Sequence, residues 1–135
     1  MLPFARVTII GLGLIGSSVA RAVREAMPTV RVTGYDADAR VRETADRLQF
    51  CDDVADSAGA AVIDADLVIL CVPVGIMGDV AREFAAELPA DAVVSDVGSC
   101  KAEIVRALTE ALPNAIVIPA HPVAGTERSG PEAGF

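Results

Sequence analysis

The chain carries one histidine, His121, and it heads the run HPVAGTERSG over 121–130. A neutral imidazole titrates close to working pH, so at that position it can take or return a proton. Pro122, Gly125 and Gly130 shape a loop around it, with a structural or surface role as the alternative for a lone loop histidine. Near the other terminus lies Gly11-Leu12-Gly13-Leu14-Ile15-Gly16, a G-x-G-x-x-G spacing that lets backbone come close to a phosphate. Between the two stands DVGSCK (96–101), which supplies Asp96, Ser99 and Lys101. Ser99, just ahead of a helix, is a natural N-cap and can still face a ligand. Lys101 reads as a solvated surface charge and Asp96 as a holder of its own loop.

Short β-branched runs alternate with amphipathic stretches along the whole chain. Strands are expected at ARVTII (5–10), VRVTGY (30–35), LVILCV (67–72), AVVSDV (92–97) and AIVIPA (115–120). Between them, helical faces are drawn through Ile15, Val19, Val23 and Ala26; Val41, Ala45 and Leu48; Ile76, Val80, Phe84 and Leu88; and Ile104, Val105, Leu108 and Leu112. Pro28 ends the first helix. The stretch 50–64 is the least defined, with a short strand near 50–54 and then a loop or short helix. Strand–helix alternation of this kind builds right-handed βαβ units on a parallel sheet, and continuous apolar strands fit burial on both faces. The expected fold is an α/β, Rossmann-type doubly wound parallel sheet of about six strands with flanking helices.

That fold gives the glycines a setting, because the motif follows a strand and opens a helix. Gly11 allows the tight turn, Gly13 the approach to a pyrophosphate, and Gly16 close packing of helix on strand. The free N–H groups at the helix start, over Leu12, Leu14 and Ile15, face the phosphates. The alternative is a tight βα turn without a ligand. Asp36, at the end of the second strand, is placed to bond the adenosine ribose hydroxyls and to repel a 2′-phosphate, so NAD is favoured over NADP, with Arg40 near enough to blur the choice. In open α/β sheets ligands bind beyond the carboxyl ends of the strands. Val72 and Pro73 leave strand four there, where the nicotinamide half of a cofactor would pass. Asp96, Gly98 and Ser99 leave strand five, and His121 leaves strand six. Ser99 and His121 are therefore expected to share one pocket with the nicotinamide.

Composition excludes several other classes. The chain has 135 residues, is 53% hydrophobic and 22% charged, and has a net charge of −8. One globular domain over 1–135 fits this length. No basic patch points to nucleic acid, and no apolar run reaches the roughly 18 residues that span a bilayer. The three cysteines, Cys51, Cys71 and Cys100, form no C-x-x-C pair, which argues against a disulfide framework and a metal site; Cys71, inside an apolar run, reads as core. Cytoplasm is the default location.

GLGLIGSS, DVGSCK and HPVAGTERSG, in this order, resemble the prephenate/arogenate (cyclohexadienyl) dehydrogenases of tyrosine biosynthesis, from about residue 5 onward. The first motif is widely shared; the other two are more specific. Cys100 stands where valine is common in the family. The resemblance implies NAD-dependent oxidative decarboxylation of prephenate or arogenate. It implies His121 as base or hydroxyl partner, Ser99 beside substrate and cofactor, and Thr126 and Glu127 lining the substrate pocket; no chemistry is assigned to Lys101. It also implies a C-terminal helical domain, absent from this chain, that forms a homodimer and donates an arginine to the substrate, so that the 135-residue chain alone is inactive or weakly active. The competing readings are a 3-hydroxyacid-type NAD(P) dehydrogenase domain, whose family uses a catalytic lysine and lacks H-P-x-A-G-T-E, and a non-catalytic NAD-binding module.

Overall fold

In the computed structural model, which describes residues 4–120, six strands and five helices alternate. They run β1 (Arg6–Ile10), α1 (Leu14–Ala26), β2 (Arg31–Tyr35), α2 (Ala39–Leu48), β3 (Asp53–Val54), α3 (Ala58–Val62), β4 (Leu67–Leu70), α4 (Val74–Phe84), β5 (Val93–Asp96), α5 (Lys101–Ala111) and β6 (Ile116–Ile118). The strands form one sheet in the order β3-β2-β1-β4-β5-β6, every pair parallel.

Strand periodicity divides the core between the two faces. Val7 and Ile9 of β1 pack with Val32, Ala20, Val23 and Ala45, so α1 and α2 cover one face. Ile10, Val68, Leu70 and Val94 pack with Met77, Phe84, Ile104 and Leu108, so α3, α4 and α5 cover the other. The chain changes face after β3. This leaves a topological switch point between β1 and β4, where doubly wound sheets open a ligand crevice.

Several elements differ from the expected ones in bounds and facing. β4, β5 and β6 are shorter than the apolar runs that announced them. The undefined stretch resolves into the two-residue β3 and a single turn of helix, α3, capped by the Ser57 hydroxyl. Three expected helix faces also include an exposed residue, although Ile104, Leu108 and Leu112 of the third are buried as expected. Ile15, Ile76 and Val105 are exposed, at 38%, 48% and 39%. The buried faces run through Gly16, Ala20 and Val23 in α1 and Met77, Ala81 and Phe84 in α4. Small residues take the closest approach to the sheet, and a reading weighted by side-chain apolarity passes over them.

Candidate functional site

The exit of β1 is built without side chains. Gly11 has φ +98°, a left-handed conformation natural to glycine, and a Cβ there would lie 2.4 Å from the Cys71 carbonyl oxygen. The turns leaving β1 and β4 thus touch backbone to backbone at the switch point. A Cβ on Gly16 would lie 1.8 Å from the Gly11 carbonyl oxygen, so α1 sits on the loop at a distance that admits hydrogen alone. Gly13 is different. A Cβ there would meet nothing within 4 Å. It is the N-cap of α1 and makes no side-chain cap bond, so the first helical N–H groups stand without a side-chain acceptor. An open space before bare N–H groups suits a diphosphate.

Asp36 lies immediately after β2 and is bound on both oxygens. Oδ2 accepts from the Leu12 N–H at 2.9 Å, and Oδ1 accepts from the Asp38 N–H at 2.9 Å. The carboxylate therefore fastens the glycine loop to the start of α2. Of the loop residues expected to meet the cofactor, Leu12 has its side chain fully in the core and its N–H on Asp36. Leu14 is half-buried and Ile15 exposed at the helix start. Arg42 holds the same turn, donating to the Asp36 and Ala37 carbonyls with its guanidinium 5.7 Å from the centre of the Tyr35 ring. Arg40 is exposed, and its backbone N–H is taken by the Asp38 side chain.

Val72 is half-buried and Pro73 is the N-cap of α4, both on the turn out of β4 beside Gly11. Burial pushes the Cys71 thiol up to about 12, with the Asp96 charge adding in the same direction. Cys51, buried beside Gly34, is raised to about 12 mainly by burial as well. Both thiols hold their protons at neutral pH, which leaves them packing residues.

The exit of β5 departs from expectation at two residues. Ser99 is exposed but caps nothing: the N-cap of α5 is Cys100, with no side-chain cap bond. Lys101 is no solvated charge. Its Nζ donates to Asp96 Oδ2 at 2.5 Å and to the Ala120 carbonyl oxygen. Asp96, fully buried, also accepts from the Gly98 N–H at 2.7 Å and from the Ala120 N–H at 3.3 Å. A lysine in the first turn of a helix faces the positive end of the helix dipole. That mismatch of sign was the sequence signal for a nearby anion. His121, Thr126 and Glu127 lie outside the described residues. Among the described residues, no group of three or more His, Cys, Asp or Glu side chains is placed to hold a metal.

Parallel order 3-2-1-4-5-6, a left-handed glycine at the switch point, an open helix N-terminus and an acid after β2 together define a doubly wound nucleotide-binding domain. The family model described as prephenate dehydrogenase, nucleotide-binding domain, matches residues 19–135, and the chain belongs to that family. The cyclohexadienyl dehydrogenase of Zymomonas mobilis is 49% identical over 135 residues, all of this chain and 46% of that protein. Prephenate dehydrogenase of Bacillus subtilis is 33% identical over 92% of this chain and 34% of its own length. Among solved structures, A. aeolicus prephenate dehydrogenase in complex with hydroxyphenyl propionate and NAD+ has a TM-score of 0.86 at 31% identity, over 97% of this chain and 46% of that one. The chain thus spans less than half the length of these relatives. No helix among the described residues is long and apolar enough to cross a membrane.

Proposed function

We propose that this chain is the cofactor half of an enzyme that oxidatively decarboxylates prephenate or arogenate with NAD. The observation that carries the cofactor reading is the Gly13 cradle, open in front of an uncapped helix, with Asp36 fixed one strand away. The HPVAGTE run, together with relatives named for this chemistry, carries the substrate reading.

When bound, NAD supplies the hydride acceptor. The N–H groups at the start of α1 hold the diphosphate, and Gly13 keeps the space for it. Asp36, already oriented by two backbone N–H groups, turns its remaining lone pairs to the adenosine ribose and repels a 2′-phosphate. His121 takes the proton of the substrate's C4 hydroxyl as the C4 hydrogen departs with its electron pair. The ring carboxylate leaves as CO2, and the electrons of the broken C–C bond complete the aromatic ring. Ser99, exposed at the exit of β5, bonds substrate and cofactor, while Thr126 and Glu127 line the substrate pocket. The full-length protein is, on this reading, a cytoplasmic homodimer joined through a C-terminal helical domain.

In the full-length protein, His121→Asn should lower kcat on prephenate by about 100-fold or more and leave NAD affinity within about twofold. An unchanged kcat would leave a different dehydrogenase or a non-catalytic NAD module. NAD should bind more tightly than NADP, and equal affinities in a calorimetric titration would refute the role given to Asp36. Residues 1–135 alone should bind NAD and form little or no NADH from prephenate.

A further inference from the structure

The mechanism above leaves Asp96 and Lys101 without a task, yet they form the most heavily bonded buried charge among the described residues. Asp96 is fully buried at the end of β5 and takes donors from three places: the Gly98 N–H at 2.7 Å, Lys101 Nζ at 2.5 Å and the Ala120 N–H at 3.3 Å. Lys101 bonds the Ala120 carbonyl oxygen as well, with its side chain 31% exposed. Both polar groups of Ala120 are therefore held by one ion pair. The Ala120 carbonyl belongs to the peptide bond that leads into His121. A buried carboxylate is costly unless paired and fully bonded, and a lysine at a helix N-terminus opposes the dipole. Neither residue is a good choice for the stability of β5 or α5 taken alone.

We propose that the Asp96–Lys101 pair is a positioning device for His121: it fixes the backbone at Ala120 and so the origin of the imidazole relative to the turn carrying Ser99. This rests on the reading of His121 as the base. The pair joins the exits of β5 and β6, elements whose ladder ends at Ser95 and Ile118. Beyond that register, Asp96 and Lys101 replace the missing ladder bonds with side-chain bonds. An error of about 1 Å in placing a catalytic group costs on the order of 100-fold in rate, so the anchor acts on kcat while leaving the binding of either ligand nearly untouched.

The test is a double-mutant cycle in the full-length protein, on prephenate and NAD. Asp96→Asn puts an amide N–H where the carboxylate accepts, and Lys101→Met removes both lysine bonds while leaving Asp96 the Gly98 and Ala120 N–H donors. Each should lower kcat about 30-fold, with KM for prephenate and NAD within about threefold and with NAD binding by calorimetry retained. In a His121→Asn background, each should cost no more than about twofold further, because the group they position is gone. Should Asp96→Asn fail to fold, Lys101→Met carries the same cycle. Full additivity with His121→Asn would overturn the proposal and leave the base reading standing, and so would Lys101→Met within twofold of the parent kcat. A prephenate KM raised tenfold or more would overturn it too, by making Lys101 a substrate contact. A His121→Asn protein with unchanged kcat would fail the base reading itself, which is a distinct result.

Discussion

At the exit of β1 the chain is placed by the absence of side chains: Gly11, Gly13 and Gly16 let backbone, helix and neighbouring turn meet at distances a Cβ would forbid or fill. At the exits of β5 and β6 it is placed by their presence, with a buried carboxylate and a lysine bonding what the ladder no longer holds. The two corners lie on one edge of one sheet and tolerate change differently. A corner held by backbone contact fails through overlap, locally and severely. In a corner held by an ion pair, the side chains supply the alignment itself.

The contrast is tested most severely at Gly16. Gly16→Ala sets a methyl 1.8 Å from the Gly11 carbonyl and should destabilise the protein by about 3 kcal/mol, the upper end for overpacking, while abolishing NAD binding. Thermal melting and calorimetry would read both losses. Gly13→Ala, three residues earlier, should leave melting unchanged and weaken NAD about tenfold or more, since its methyl enters the open space proposed to receive the diphosphate. If both substitutions cost stability equally, the distinction between packing glycine and ligand glycine breaks down.

Next in size is Asp36, whose carboxylate bonds the glycine loop at Leu12. Asp36→Ser should weaken NAD by about tenfold, through the ribose and through the Leu12 N–H it leaves without an acceptor. Asp36→Asn, which keeps an acceptor for Leu12, should protect that amide from hydrogen exchange as well as the parent does. Faster exchange at Leu12 in the serine variant alone would separate the two roles.

The smallest effect is alkaline. Cys51 and Cys71, both packed under the glycine corner, are raised by burial from an ordinary 9.0 to about 12. The folded protein binds those protons more tightly than the unfolded chain. Their contribution is therefore intact below pH 9 and is lost as pH rises towards 12. Urea melts should show stability falling across that window, less steeply in Cys71→Ala.

Much of this was legible in the sequence. Strand, glycine motif and acid fell at the intervals a βαβ unit requires, and all six strands lie within or beside the runs that announced them. What the sequence concealed had physical causes. Periodicity weighs apolar side chains, so it passed over Ala20 and Ala81, whose value to packing is that they are small. The Ser99 cap followed from residue type alone, and the N-cap instead falls one residue later, at Cys100. The partnership of Lys101 with Ala120 joins positions far apart in sequence and has no local pattern, although its charge at a helix N-terminus was a legible sign of it. His121, Thr126 and Glu127 stand as sequence assignments outside the described residues.

The two hydrogen bonds accepted by Asp36 have a consequence for how such a domain can change its habits. Cofactor preference in a sheet like this is commonly treated as a property of one acid, open to exchange in a single step. Here the same carboxylate is a strut of the phosphate loop. A lineage that drifted toward a 2′-phosphorylated cofactor by losing it would first inherit a slack loop and poor affinity for either nucleotide. On the proposed role of Asp36, the accessible route runs through a replacement strut, and selection on the loop's order guards the choice of coenzyme as a by-product.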